Sequence, residues 1–140
     1  MVIYEGNVTI TNLENLNNKK IAMFVNGDLN INGRMLLTDG SGFYAAFVKG
    51  NIIVDPSVGT PNPSLEGLFV SDGQFRTGAG NSQFYLRGSV VAWNGVQLQR
   101  DLGNQNNQTP AEVFQYAPDL ILNFPQQLFR DGLVWREIAP

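Results

Sequence analysis

A short phrase built around glycine recurs along this chain and constrains its fold more than any other feature. The phrase is an apolar residue, a polar residue, Gly, any residue, an apolar residue, any residue and a second apolar residue. It occupies residues 4–10, 25–31, 48–54, more weakly 65–71, and 86–92. Its glycines, separated by 21, 23, 17 and 21 residues, are Gly6, Gly27, Gly50, Gly67 and Gly88. A self-similar period near twenty residues is typical of solenoids, whose units stack on one another.

After each glycine, apolar residues recur at every second position, which is the period of a half-buried strand. Two or three such strands joined by bends make one coil of this length, whereas antiparallel meanders place a strand every ~8–12 residues. We therefore predict one all-β domain, a short β-solenoid (parallel β-helix-like) of about four to five coils. An antiparallel β-sandwich with coincidental glycine spacing is the alternative.

Stacking of the coils predicts which side chains lie above one another. One inward ladder is predicted at Val8, Leu29, Ile52, Phe69 and Val90, and a second at Ile10, Ile31, Val54, Ser71 and Ala92. The predicted outward residues before the glycines are Glu5, Asn26, Lys49, Glu66 and Arg87. Their charges never repeat between neighbours, which avoids like-charge contacts between coils.

The C-terminal third lacks the phrase, so we predict repeat coils over residues 1–95 and a cap over residues 96–140. Within this cap, Thr109-Pro110-Ala111-Glu112 has the pattern of a helix start, with Thr109 as the N-cap and Pro110 at the first helical position. Residues 119–124 form an apolar, strand-like run, and the chain closes on residues 133–138. Open solenoids need caps because an exposed coil edge invites aggregation.

Composition excludes several classes of chemistry. The chain has no Cys and no His, which removes disulfides, thiolate metal sites, cysteine nucleophiles and the commonest general base. A net charge of −3 with 15% charged residues offers no basic stripe for a nucleic acid. No apolar run approaches the ~20 residues of a membrane span, and the start has no signal-peptide pattern. We expect no cofactor, no nucleic-acid partner, no membrane insertion of this segment and no enzymatic activity.

One stretch matches the opening of a calcium loop. Asp28, Asn30 and Asn32 alternate before Gly33, and Asp39 stands where a bidentate carboxylate is usual. The residues between them, however, belong to the inward alternation of the repeat. The outward face of the second coil is therefore the preferred interpretation of Asp28, Asn30 and Asn32.

A carbohydrate-binding or carbohydrate-cleaving solenoid is an alternative function. It would use exposed aromatic residues as ligand contacts, with carboxylates and a basic residue (Lys49 or Arg87) for cleavage. The aromatic candidates are Tyr85, Trp93 and Tyr116, and the carboxylate candidates are Asp28, Asp39, Asp55 and Asp72. Three of these carboxylates stand in Asp-Gly or Asp-Pro pairs that are typical of turns, which favours a backbone role over catalysis.

Several stretches resemble one group of proteins. Residues 25–31, 47–52 and 98–120, together with the ending at 135–140, are similar to the C-terminal domain of large uncharacterised surface proteins of candidate-phyla bacteria. The resemblance implies an extracellular or cell-surface location and a terminal position on a longer, membrane-tethered chain. It carries no established activity, so it implies no site residues.

These observations predict a non-catalytic structural or adhesive module of a cell-surface or appendage protein. A third possibility is a self-assembling subunit of a filament or oligomer, in which the first coil, at residues 4–10, accepts a strand from another chain. The expected partners are other copies of the chain or surface glycans.

Overall fold

A computed structural model of the chain describes residues 1–12 and 14–128, which form a parallel β-solenoid. Every strand pair among these residues is parallel, so the predicted solenoid is confirmed and the antiparallel sandwich is wrong. The strands are β1 (Val2–Glu5), β2 (Val8–Ile10), β3 (Glu14–Asn17), β4 (Lys20–Asn26), β5 (Leu29–Ile31), β6 (Met35–Leu37), β7 (Phe43–Val48), β8 (Ile52–Val54), β9 (Leu65–Ser71), β10 (Phe75–Arg76), β11 (Phe84–Ala92), β12 (Val96–Gln97) and β13 (Glu112–Gln115).

The strands stack into three faces that run the length of the solenoid. Face 1 contains β1, β4, β7 and the second halves of β9 and β11, and face 2 contains β2, β5, β8, β10 and β12. Face 3 contains β3, β6, the first residues of β9 and β11, and β13. Because β9 and β11 pass from face 3 into face 1, these two faces belong to a single eight-stranded sheet. Each face therefore has five rungs.

The glycines form two corner columns rather than the single column predicted. Gly6, Gly27 and Gly50 stack as expected at the corner between faces 1 and 2. The prediction for Gly67 and Gly88 is wrong, because these two pair with each other where β9 and β11 bend from face 3 to face 1. The column begun by Gly6 instead continues through Gly73 and ends at Asn94, whose N–H donates to the Gly73 carbonyl oxygen.

Close approach explains why this column needs glycine. A Cβ at Gly73 would lie 2.6 Å from the carbonyl oxygen of Gly50, so a larger residue at this position would force the backbone of the two coils apart. The same shift of register corrects the inward ladders. Val8, Leu29 and Ile52 lie above one another on face 2 and are followed by Phe75 and Val96. Phe69 and Val90 instead stack above Ala46 on face 1.

The second inward ladder is corrected in the same way. Ile10, Ile31 and Val54 stack on face 2 as predicted. Ser71 and Ala92 lie on face 1 instead, in the column of Val48.

Five aromatic rings form a continuous spine through the core. Neighbouring rings in this spine have centroids 5.8 to 6.3 Å apart, within the range of favourable aromatic packing. The order of the rings is Tyr44, Phe69, Phe75, Phe84 and Phe114. The first four are buried and Phe114 is exposed, so the spine runs from the middle of the solenoid to its last coil.

The stack continues past residue 95, the predicted end of the repeat coils. β12 extends face 2, and β13 extends face 3 by pairing with β11. The helix predicted to start at Thr109 is wrong, since Glu112 opens β13 and the free edge of β11 supplies its backbone partners. The strand-like run at 119–124 is also wrong, because a short helix, α1 (Pro118–Leu122), begins at Pro118. The run at 133–138 lies outside the described residues.

The segment after β13 covers a side of the solenoid rather than its end. Asp119 of α1 accepts a hydrogen bond from the Gly40 N–H at 3.1 Å. The ring of Phe124 packs edge-on against that of Phe43, with centroids 5.2 Å apart. The described part of this segment, up to residue 128, therefore runs back along the outside of the coils.

Candidate functional site

Asp28, the first of the predicted calcium ligands, holds the backbone of the corner instead. Asp28 Oδ1 accepts hydrogen bonds from the Asn51 N–H at 2.7 Å and from Asn51 Nδ2 at 3.3 Å. Equivalent bonds join Asn7 Oδ1 to the Asp28 N–H and Asn51 Oδ1 to the Gln74 N–H, both at 2.9 Å. The side chains of Asn7, Asp28 and Asn51 thus each cap the next coil, whereas Gln74 Oε1 accepts hydrogen bonds from Arg76. We name Asn7, Asp28, Asn51 and Gln74 the corner ladder.

The other predicted calcium ligands do not gather around Asp28. Asn30 lies in the middle of β5, Asn32 is exposed after that strand, and Asp39 lies in the turn that leads to β7. Among the residues that the structure describes, no group of three or more acidic side chains lies close enough to hold a metal ion.

The corner ladder gives a first testable prediction. Replacing Asp28 with alanine leaves the Asn51 N–H without its acceptor, and we expect a loss of about 1–2 kcal/mol in the free energy of unfolding. Asp28→Asn keeps an acceptor oxygen at the same place and is expected to cost less than about 0.5 kcal/mol. Urea denaturation of both variants checks this. Equal losses in the two variants would argue against the backbone role.

The remaining carboxylate candidates are scattered over the surface. Asp55 Oδ1 accepts hydrogen bonds from the N–H and the hydroxyl of Ser57, and these bonds lower the pKa of its carboxyl. Asp72 is exposed just before Gly73, at the corner between faces 1 and 2, and is next in register to Lys49. The predicted charge alternation therefore persists at this corner, but Asp72 and Trp93 occupy the positions expected for Glu66 and Arg87.

Glu66 and Arg87 lie in an ion cluster on face 3. Arg87 Nη2 lies 2.7 Å from Asp119 Oδ1, and Arg87 Nη1 lies 3.3 Å from Glu66 Oε1 and 3.6 Å from Asp39 Oδ1. Glu66 is only 3% exposed, and its Oε2 accepts the Leu37 N–H at 2.6 Å. We name Asp39, Glu66, Arg87 and Asp119 the acidic cluster. It links three turns of chain and α1 around one guanidinium.

Burial and hydrogen bonding shift the pKa values of the buried Glu66 and the half-buried Asp119 in opposite directions. Desolvation raises the pKa of Glu66 above its usual range, although the Leu37 N–H and Arg87 oppose the shift. Desolvation also acts to raise the pKa of Asp119, but the hydrogen bonds from Arg87 and Gly40 outweigh it and hold that pKa below its usual range. The cluster therefore fastens α1 most strongly when Asp119 is ionised.

A pH-dependent prediction follows for Asp119. A carboxyl whose folded pKa is depressed adds stability above its ordinary pKa of about 3.9, and this stability is lost as the pH falls through the folded pKa. We expect Asp119→Asn to be less stable than the parent by about 1 kcal/mol at pH 7, and the difference to shrink as the pH approaches 3.

The measurement is urea denaturation at pH 7, 5 and 3, with the exposed Asp72→Asn as the matched control. The opposing contribution of Glu66 is common to the parent and the variant, so it cancels in their difference. A gap that stays constant between pH 7 and pH 3 would contradict the assignment.

Arg100 is the most deeply buried charged residue after Glu66 and was not predicted as a site residue. Its side chain is inserted between coils, and the residue is 7% exposed. The guanidinium lies 5.6 Å from the centroid of the Phe84 ring, a cation–π distance. Its backbone acceptors are Asp55 O at 3.0 Å, Pro56 O at 2.7 Å, Val58 O at 2.8 Å and Thr77 O at 2.8 Å.

The main chain of Arg100 is held as well. Its N–H donates to Glu112 Oε1 at 2.7 Å, and the hydroxyl of Thr77 donates to the same oxygen at 3.0 Å. Desolvation lowers the pKa of Arg100, and Glu112 and Asp55 oppose that shift. Arg100 therefore ties the loop at 55–58 to the last two coils. No local sequence signal marks it, because the hydrogen-bond partners of its side chain are 18 to 45 residues away.

The predicted aromatic ligand residues do not form one site. Tyr85 and Trp93 stand at opposite ends of the bent strand β11, and the Tyr85 hydroxyl donates to Gln115 Oε1 at 2.8 Å. Trp93 is 84% exposed at the corner between faces 1 and 2, and Tyr116 is exposed just beyond β13. One sugar ring could contact Trp93 or the tyrosines, but not all three.

A second aromatic surface lies on the outside of face 1. The rings of Phe24 and Phe47 stack with centroids 4.9 Å apart and line an open cleft of about 370 Å³. Ile3, Val70 and Val91 continue this column in register, giving an apolar stripe along the solenoid.

The two ends of the solenoid expose apolar side chains that would be interior in a middle coil. We name the end formed by β1, β2 and β3 the head, and the end formed by residues 88–92, β12 and β13 the tail. The head has a cleft of about 320 Å³ whose lining includes Val2, Tyr4, Val8 and Ile10. The tail has a cleft of about 410 Å³ whose lining includes Val90, Val96, Leu98 and Phe114.

Comparison with known proteins adds no function. No family model matches the chain, and no curated protein or solved structure is significantly similar to it. Within residues 1–12 and 14–128, no helix has the length and apolar character needed to cross a membrane.

Proposed function

We propose that this chain is a non-catalytic structural module of a cell-surface or appendage protein. The observation that carries the proposal is the use of its buried charges. The acidic cluster holds α1 against the coils, Arg100 binds four backbone carbonyls, and Asp28 caps a corner. These charged side chains are engaged in holding one part of the fold to another.

The acidic cluster also supports a non-catalytic role over hydrolysis. Glycoside hydrolysis needs two carboxyls that flank a bound substrate, one of them as a proton donor. Glu66 and Asp119 are close to one another through Arg87, but Glu66 is buried and both its oxygens are engaged. A sugar ring could reach it only after α1 moved away.

The proposal is tested with a panel of polysaccharides and with chelation. We expect no release of reducing ends or unsaturated products, and an unchanged melting temperature in EDTA. Turnover that disappears in Glu66→Gln or Asp119→Asn would overturn the proposal and favour the carbohydrate-cleaving alternative. A glycan array with the parent and Trp93→Ala tests the adhesive variant, which requires binding that depends on an exposed aromatic residue.

Self-association is a second candidate function, and the two open ends favour it. Val96, Leu98 and Phe114 at the tail are 45%, 58% and 42% exposed, although they continue inward columns of the core. Exposed parallel strand edges beside apolar side chains are templates for another chain. Light scattering over a range of concentrations tests this candidate, since a mass that stays monomeric throughout would contradict it.

A further inference from the structure

We propose that two copies of this chain associate head to tail, so that the tail of one copy stacks on the head of the next and extends the solenoid in register. This inference rests on the self-association candidate above and names its partner and geometry. It uses only surfaces already present in the fold.

The backbone edges of the two ends are complementary. The Val8 N–H donates to Asp28 O, and the Phe75 N–H donates to Gly95 O. In this column of face 2, each N–H therefore donates to a carbonyl of the next coil. At the tail, β12 is the last rung of face 2, and β2 is the first rung at the head. A head-to-tail contact therefore offers each open edge the same parallel ladder that joins every coil inside the chain.

The register of this contact is fixed by the columns. Val91 pairs with Val70 and Ile3 pairs with Phe24, so Val91 would stack on Ile3 of the second copy. On face 2, Val96 would stack on Val8 of the second copy. The inward residues Val90 and Ala92 would then cover Val2 and Tyr4 of the second copy, and apolar side chains would meet apolar side chains.

The polar columns are compatible with the same register. Gln115 would lie beside Asn15 of the second copy, which places two amides next to each other on face 3. In the column of residues before the corner glycines, between faces 1 and 2, the uncharged ring of Trp93 would separate Asp72 from Glu5 of the second copy. No pair of like charges is brought together at these positions.

One residue opposes the contact and sets its strength. Glu14 occupies the column of Met35, Leu65, Leu86 and Phe114, which faces the interior. In the stack, Glu14 of the second copy would be placed against Phe114. Burying an unpaired carboxylate is costly, and inward-pointing charges on edge strands are a known protection against association. We therefore infer that Glu14 limits stacking of the natural chain.

The geometry is tested by blocking each end separately. Val2→Lys with Tyr4→Lys blocks the head, and Val96→Lys with Leu98→Lys blocks the tail, all at positions that are 40% to 58% exposed. Sedimentation or size-exclusion with light scattering gives the mass over a concentration series. We expect the parent mass to rise with concentration, each blocked protein to stay monomeric, and their equimolar mixture to form a dimer and nothing larger.

Other results overturn the inference in distinguishable ways. Dimers of the head-blocked protein alone would mean tail-to-tail contact, and dimers of the tail-blocked protein alone would mean head-to-head contact. Either result removes the register but leaves self-association. If every protein stays monomeric up to about 1 mM, association is weaker than about 4 kcal/mol. That result would contradict both the head-to-tail register and self-association. The non-catalytic proposal would still be decided by its own test.

Three further variants secure the interpretation. Thr9→Pro blocks the head without added charge, because the N–H of Thr9 points away from β5 while that of Val8 points toward it. Circular dichroism confirms that each variant is folded.

Glu14→Gln is expected to strengthen association by about tenfold or more, whereas Glu5→Gln at the outward corner is expected to change it less than about threefold. Equal effects of the two would overturn the role of Glu14.

Discussion

Replacing Arg100 with methionine is expected to lower the free energy of unfolding by about 3–5 kcal/mol, because it leaves buried acceptors without their donor. Methionine fills a similar volume but provides no hydrogen bond to the carbonyls of Asp55, Val58 and Thr77. Asp55 and Val58 belong to one coil and Thr77 belongs to the next. The loss of Arg100 is therefore expected to loosen the loop at 55–58 as well as the last coils. Chemical denaturation measures the loss, and hydrogen exchange locates it.

Arg76→Met is the matched control for this experiment. Arg76 is half-buried, and its hydrogen bonds go to the side chain of Gln74 within the same coil. The same chemical change there is expected to cost less than about 1 kcal/mol. Arg100→Lys keeps the charge but cannot reach four carbonyls with one ammonium, so an intermediate loss is expected. If Arg100→Met cost no more than Arg76→Met, the bridging role of Arg100 would be wrong.

The period of the solenoid could be predicted from the sequence because its cause is local. A corner that needs glycine is followed by a strand that alternates, and both features recur at Gly6, Gly27 and Gly50. The phrase at Gly67 misled the prediction since that glycine also sits between apolar residues, but at a different corner. Only strand pairing distinguishes the two corners. The column itself continues at Gly73 and Asn94, so its positions are spaced by 21 to 23 residues.

The acidic cluster and Arg100 could not be predicted, because their partners are assembled by stacking. Arg87 meets Glu66 21 residues earlier and Asp119 32 residues later, and no spacing rule links these positions. The helix start expected at Thr109 illustrates the converse. A local capping pattern was present, but pairing of Glu112–Gln115 with β11 provided a backbone ladder that the short helix could not match. Tertiary contacts therefore overrode a local preference.

The aromatic spine gives the second large expected effect. Phe75 is fully buried, and its ring lies 6.1 Å from that of Phe69 and 6.3 Å from that of Phe84. Phe75→Ala removes a ring from the centre of the stack, and we expect a loss of about 3–5 kcal/mol, since coils above and below cannot both close the cavity. A lower denaturation midpoint with an unchanged slope would show that stability fell without a change of fold.

Phe114→Ala is the matched control because it removes the same side chain from the exposed end of the same spine. Phe114 contacts Phe84 at 6.0 Å but is 42% exposed, so we expect a loss below about 1.5 kcal/mol in the monomer. If the tail stacks on another copy, Phe114 becomes interior, and its truncation should then also weaken association. Equal losses at Phe75 and Phe114 in dilute monomer would mean that the spine does not end in an open coil, and the head-to-tail register would lose its basis.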